Sequence, residues 1–370
     1  MSTQALLAGV RAWVEIESHT ADVAGVNAMA DRVAADYAAR GAAVERVPGR
    51  DGFGDHVIAR APWAQTSNAP GVLILSHMDT VHPRGTLATF PFRVEGDLAF
   101  GPGVYDMKGG AYIAMDAVGQ VAANGGAALP VTHLFVSDEE VGSPTSRALI
   151  EELAQGAKYV LVTEPAREGG RVVTARKGVM RYEVAVHGRA AHSGARHQDG
   201  VSAVKELARL ILAFEGLTDY ERGITCNVGR IGGGTGDNVI PAHAWAGVDV
   251  RVPDAAAAEA VAAFVAALAP AHPEARLEIS GGLNRPPYER RPEIAALYEH
   301  ARGLAAELGF PLGETQTGGG SDGNFTAPIA PTLDGLGVDG KGGHTDYEQL
   351  RISSLVERRN LMRRLLETLR

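Results

Sequence analysis

Three apolar runs in the first half of the chain each end in an acid or an imidazole. Val72-Leu73-Ile74-Leu75 leads into Ser76-His77-Met78-Asp79, the run from Val131 leads into Asp138-Glu139-Glu140, and Tyr159-Val160-Leu161-Val162 leads into Thr163-Glu164-Pro165. Short runs without polar alternation suit strands covered on both faces. A carboxylate at the edge of such a core is expensive to bury unless a partner meets it. With Asp106 and His344 added, the set His77, Asp106, Glu139, Glu140, Glu164 and His344 reads as one cage for two metal ions, because a divalent cation makes several carboxylates in one place tolerable.

The spacing between these runs predicts the architecture. A helix is expected over 22–40, a strand over 72–79, a helix over 109–124, a strand over 131–137, a helix over 143–155 and a strand over 159–163. An amphipathic helix precedes them, with Glu15 and Glu17 inside it. Strands alternating with helices imply a mostly parallel sheet flanked by helices, and sites in such sheets collect beyond the carboxyl ends of the strands. The middle of the chain differs. Alternating strands at 179–188 and 244–252, helices at 200–215 and 254–268, and strands at 223–229 and 276–280 make the split βαβ order of a small antiparallel sheet. A length of 370 residues exceeds one comfortable core. The expectation is a domain at 178–287 inserted into another formed by 1–177 and 288–370, which ends in a helix over 352–369.

Composition excludes several classes. The net charge of −9 argues against nucleic acid as a partner. A single cysteine, Cys226, permits neither an internal disulfide nor a thiolate zinc site. The amino-terminal stretch from Met1 to Leu7 lacks a basic region followed by a long apolar one, and no run is long enough to cross a bilayer. A soluble, cytoplasmic protein without a membrane partner is expected.

Each motif has a plainer reading beside the chemical one. His77 is a metal ligand, with Asp79 either accepting its second N–H or holding a neighbouring ligand, or both are a polar strand end. Asp106, in the Gly-dense stretch Gly101 to Gly110, is a helix N-cap or a carboxylate shared by two ions. Glu139 and Glu140 point in different directions, so that one binds metal while the other stays free as a base, or they form a solvated turn. Two rival motifs fail. Gly319-Gly320-Ser321-Asp322-Gly323 matches a serine-hydrolase elbow but follows Gln316-Thr317-Gly318 rather than an apolar strand. Gly335 to Lys341 lacks the Ser or Thr of a phosphate-binding loop, with Gly342 in that place.

The order of Ser76-His77-Met78-Asp79-Thr80-Val81, Gly103-Val104-Tyr105-Asp106-Met107-Lys108-Gly109, Ser137-Asp138-Glu139-Glu140-Val141-Gly142, Glu164-Pro165, Gly188 to Gly194 and Gly343-His344-Thr345 resembles that of the dinuclear zinc exopeptidases. That family includes glutamate carboxypeptidases of the carboxypeptidase G type, aminoacylase, acetylornithine deacetylase and succinyl-diaminopimelate desuccinylase. The resemblance covers nearly the whole chain. It implies an α/β catalytic domain with an inserted α+β, ferredoxin-like domain that serves as dimer interface and lid. It implies two zinc ions per subunit, with cobalt and manganese also suited to this nitrogen–oxygen set. By the same resemblance, His77 and Glu164 are ligands of one ion, Glu140 and His344 of the other, and Asp106 bridges them. Asp79 supports His77, Glu139 is the general base, and His192 reaches the partner subunit's site in a homodimer. Asn238, Arg251, Arg285 and the Gly320 loop meet substrate. Arg251 is a clamp for a substrate carboxylate or an ordinary strand salt bridge, and Arg285 meets an acidic side chain or caps a strand end. The implied activity is metal-dependent cleavage of an amide beside a free carboxylate, as a carboxypeptidase releasing a C-terminal amino acid such as glutamate from a small peptide. An N-acyl amino acid deacylase and a non-catalytic binding protein of the same fold are the alternatives.

Overall fold

The structure, a computed structural model, describes residues 2–64 and 69–370. Met1, the first residue of the amino-terminal stretch read above, lies outside the described residues. Two compact units divide the chain, one built from 1–175, 290–317 and 321–370, the other from 176–289 with 318–320.

The first unit holds a six-stranded sheet in the order Ala43–Val47, His56–Arg60, Val131–Val136, Gly71–His77, Ala157–Val162, Thr332–Leu333. The first two pairings are antiparallel. The remaining three are parallel. The central strand shows why the run Val72 to Leu75 has no polar alternation. Val72 and Ile74 enter one apolar cluster and Leu73 and Leu75 another, on opposite faces of the sheet. The first cluster draws on the helices Thr3–Val14, Val23–Ala38, Gly109–Ala123, Pro292–Glu307 and Ser354–Thr368, and the second on Arg147–Gln155. Register then levels the strand ends: His77 pairs with Val136 and Leu75 with Val162. His77, the 137–140 turn and Glu164 therefore leave the sheet at one edge.

A second, four-stranded sheet brings in the rest of the chain. The hairpin Gly340–Lys341 with Gln349–Arg351 pairs with Leu98–Phe100, which pairs with Arg93–Glu95. The hairpin loop carries His344, and Leu98–Phe100 runs directly into the Asp106 turn. Glycine is required where that turn becomes helix. A Cβ on Gly110 would lie 2.2 Å from the Thr163 carbonyl oxygen, so only glycine lets the helix start pack against the Glu164 strand end.

Three elements differ from expectation. The first helix stops at Val14; Glu15 pairs with Arg11 at 2.7 Å, and the Glu17 carboxylate leaves the helix to accept from the Gly85 and Leu87 amides at 2.8 and 2.9 Å. The helix expected from 143 starts at Arg147, because residues before it wrap around Asp138. That carboxylate accepts from Thr145 N at 2.6 Å, Thr145 Oγ1 at 2.7 Å, Ser146 N at 3.2 Å and Ser146 Oγ at 2.5 Å. The strand expected over 276–280 runs to Arg285, past Gly281 and Gly282 where the apolar alternation fades.

In the second unit, Thr225–Gly233, His243–Val252, Gly178–His187 and Arg276–Arg285 form an antiparallel sheet in that order. Met180, Tyr182, Val184 and Val186 turn one face toward the helices Ala203–Glu215 and Ala255–Ala266. This is the split βαβ order. Among the described residues, no helix is long and apolar enough to cross a membrane.

Candidate metal centre

Asp106 stands between two imidazoles. Its Oδ1 is 3.1 Å from His77 Nε2 and its Oδ2 is 3.5 Å from His344 Nε2. Glu164 Oε1 lies 3.9 Å from His77 Nε2, and Glu140 Oε2 lies 3.0 Å from His344 Nε2. Ligand atoms of His77, Asp106 and Glu140 fall within 4.8 Å of one another, as do those of His77, Glu139 and Glu164. The structure thus brings together all six residues of the expected cage.

The electrostatics are those of a cation site. Burial works against a charged His77, yet the hydrogen bond with Asp106 and the charges of Glu139, Glu164 and Asp79 outweigh it and lift its pKa well above the ordinary value. The hydrogen bonds of His344 with Asp106 and Glu140 push it up to about 11 against partial burial. Burial opposes ionisation of Asp106, but the two imidazoles hold it far below the carboxylate range. Protons on His77 and His344 occupy the positions from which metal ions would pull on the same atoms. Glu140 Oε1 is buried and has no hydrogen-bond partner among the described residues. That orphaned oxygen and the crowded carboxylates fit a divalent ion better than protons alone.

Local structure fixes the ligating atoms. His77 Nδ1 donates to the backbone oxygen of Asp79 at 2.9 Å, which leaves Nε2 facing the cluster. The Asp79 carboxylate is 3.6 Å from that ring, too far for a hydrogen bond. It accepts instead from Thr20 Oγ1 at 2.7 Å and from the amides of Glu139 and Glu140 at 3.3 and 3.2 Å. Of the two roles open to Asp79, the geometry is that of holding a neighbouring pair of acids. Burial, and the charge of Glu140, raise its pKa to about 7 against His77 and its hydrogen bonds. His344 adopts φ 66, in the left-handed region that few side chains tolerate.

Sequence reasoning missed Glu348. Its carboxylate is fully buried and accepts four donors: Tyr105 N and Asp106 N at 2.8 Å each, Gly103 N at 2.9 Å and His82 Nε2 at 2.7 Å. The loop that carries His344 thereby grips the turn that carries Asp106. Capture of backbone amides leaves no spacing pattern, so the only cue was an acid four positions after His344.

Residues 73–368 match the profile of peptidase family M20/M25/M40. The chain belongs to that family. Carboxypeptidase G2 of Pseudomonas sp. (strain RS-16) is 33% identical over 361 residues, spanning 95% of this chain and 86% of that relative. Among solved structures, aminopeptidase PepT from Bacillus cereus superposes with a TM-score of 0.81 at 22% identity, covering 99% of this chain and 98% of the other. The M20 metallo-carboxypeptidase Sso-CP2 from Sulfolobus solfataricus gives 0.75 at 17% identity, with 98% of each chain covered. At those identities the two structures speak to fold alone. This M20 peptidase is a hydrolytic metalloenzyme with a carboxypeptidase as a curated relative.

The other expected site residues of this M20 chain lie in the second unit. His192 and Asn238 are neighbours there: His192 bridges Val239, and Ser193 N donates to the Asn238 carbonyl at 2.9 Å. His192 Nδ1 accepts from the Gly194 and Ala195 amides at 3.2 Å each, which puts the proton of a neutral ring on Nε2. Arg251 pairs with Asp249 on the same strand face, at 2.6 Å and 3.0 Å. The plainer reading of Arg251, a strand salt bridge, is the one seen. Arg285 is buried, and a Cβ on Gly320 would come within 2.8 Å of its stem. Glycine at 320 leaves room for that side chain.

Proposed function

We propose that this protein is a dinuclear zinc carboxypeptidase that releases a C-terminal amino acid, glutamate first among the candidates, from an amide. The observation that carries the reading is the division of Asp106 between His77 and His344. One carboxylate facing two imidazoles suits two ions about 3.5–4 Å apart. His77, Glu164 and Asp106 would hold one ion, and Glu140, His344 and Asp106 the other. When bound, the pair supplies an acidified water and a Lewis acid for the scissile carbonyl. Glu139 takes the proton of the attacking water at its carboxylate and returns it to the leaving amine. The likeness to carboxypeptidase G2 along 95% of the chain favours amide substrates that end in a free carboxylate.

His192 donates from Nε2 to the developing oxyanion, from the partner subunit of a homodimer formed through the second unit. Arg251, on leaving Asp249, clamps the substrate carboxylate beside Asn238, and Arg285 meets an acidic side chain of the released residue.

A panel of dipeptides, their C-terminal amides and N-acyl amino acids, offered to the zinc-loaded protein, tests this. Cleavage is expected only where the C-terminal carboxylate is free. Turnover of acetyl amino acids alone would make the protein a deacylase. Two bound zinc equivalents with no cleavage anywhere on the panel would make it a binding protein. For the shared site, mixing His192→Ala with Glu139→Gln subunits should restore part of the activity that each lacks alone.

A further inference from the structure

A pocket of about 640 Å³ adjoins the metal centre within the first unit, and Asp106 and His344 form part of its wall. Arg167 and Lys341 also line it. Arg167 follows Glu164 by three residues and is fixed by a tight turn, in which its N–H and carbonyl pair with those of Arg171 at 2.8 and 3.0 Å. Its side chain is half-buried, and Nε is buried without a hydrogen-bond partner. Lys341 projects from the hairpin that pairs with Gln349.

The other charged groups do not neutralise this pair. Arg351 is matched by Asp339 at 3.5 Å. Glu168 is exposed, and Asp106 faces the two imidazoles. Among the described residues neither Arg167 nor Lys341 has an ion-pair partner. The Tyr105 hydroxyl, also on the wall, donates to the Ala166 carbonyl at 2.6 Å and has no second proton to give. A partly buried guanidinium whose Nε lacks an acceptor is costly unless the acceptor arrives with a ligand. The planar fork of an arginine fits a carboxylate through two parallel hydrogen bonds.

We infer that this pocket is the acyl-side subsite and that it selects substrates whose acyl group carries a carboxylate of its own, as a dicarboxylic acyl group or an acidic penultimate residue does. The inference rests on the amidase reading above. There Arg167 and Lys341 have no part in holding the leaving residue, which leaves this pair for the other half of the amide.

The test holds the leaving residue constant. N-glutaryl-glutamate and N-pentanoyl-glutamate differ in one terminal carboxylate. The wild-type protein is expected to favour the glutaryl compound in kcat/KM, and Arg167→Ala should reduce the glutaryl-to-pentanoyl ratio by about ten- to hundredfold, the range for a hydrogen bond to a charged group. Arg167→Lys should retain part of the ratio, and Lys341→Ala should lower it less. Equal kcat/KM for the two compounds, or a ratio untouched by Arg167→Ala at unchanged zinc content, overturns the subsite. If neither compound is cleaved, the carboxypeptidase reading fails, and calorimetric binding of both to the zinc-loaded protein decides the subsite separately. Tighter binding of the glutaryl compound that Arg167→Ala abolishes sustains it, and equal binding removes it.

Discussion

Each acid of the centre has its own set of partners, so single substitutions should separate roles that adjacency in sequence merges. Glu140 Oε2 faces His344 at 3.0 Å, whereas Glu139 groups with His77 and Glu164. Glu139→Gln is expected to keep zinc content near normal and to lower kcat by about 10²–10⁴-fold, the usual loss with a general acid–base; metal analysis beside steady-state kinetics checks both halves. Glu348 acts at one remove, through the amides of Tyr105 and Asp106. Glu348→Gln keeps the shape, loses the charge and turns one acceptor into a donor, so zinc should bind about 10–100-fold more weakly, as when other supports of metal ligands are removed. A competitive zinc titration measures that loss. His77, Glu139, Glu140 and Glu164 were legible in the sequence because each follows an apolar run whose direction is plain. Glu348 was not, because Thr345-Asp346-Tyr347-Glu348 looks like solvated loop and its partners come from far along the chain.

Elements meet behind the centre through a buried polar chain. Tyr37, on the helix Val23–Ala38, lies 2.5 Å from His133 Nδ1; His133 Nε2 lies 2.7 Å from Ser76 Oγ; and Ser76 Oγ lies 2.6 Å from Thr163 Oγ1. Burial lifts the Tyr37 phenol well above its ordinary pKa, so its O–H donates. Burial also holds His133 well below its ordinary value of 6.5, so the ring is neutral. Below pH 6.5 the unfolded chain gains a proton on this imidazole that the folded chain refuses, so stability falls with pH there and is unaffected above it. The slope from one such proton reaches about 1.4 kcal/mol per pH unit. His77, His344 and Asp79, whose folded-state values are raised, act in the opposite sense over the same range, so the His133 contribution is read as a difference: in denaturant unfolding of the metal-free forms, the wild type should lose stability relative to His133→Gln as pH falls from 7 to 5. The strand Gly71–His77 was legible because both its faces are apolar. The start of the helix at Arg147 was not, because a helical period from 143 cannot reveal that Asp138 has already taken the amides of Thr145 and Ser146.

Over the whole molecule, the ions are expected to act as structural cross-links as well as catalysts. Zinc that binds only the folded chain, present at 1,000 times its Kd, adds about 4 kcal/mol. A chelator should therefore abolish hydrolysis and lower the unfolding temperature together. Because the metal-free imidazoles are held protonated, with His344 up to about 11 and His77 raised as well, zinc must displace protons. Its affinity should rise from pH 6 to pH 8, and calorimetry in two buffers of different ionisation enthalpy should register proton release. The strands of the second unit were legible from their alternating residues, since one face of the sheet is apolar. That Gly318 to Gly320 pack with that unit was not, because glycines carry no apolar period. The grip of Glu348 on an aspartate 242 positions earlier orders events at the ribosome. A nascent chain that has passed Glu164 already carries four of the acids, but neither the imidazole nor the clasp that completes them. In the proposed centre, lasting capture of both ions waits for the hairpin that spans 340–351 to be made and docked.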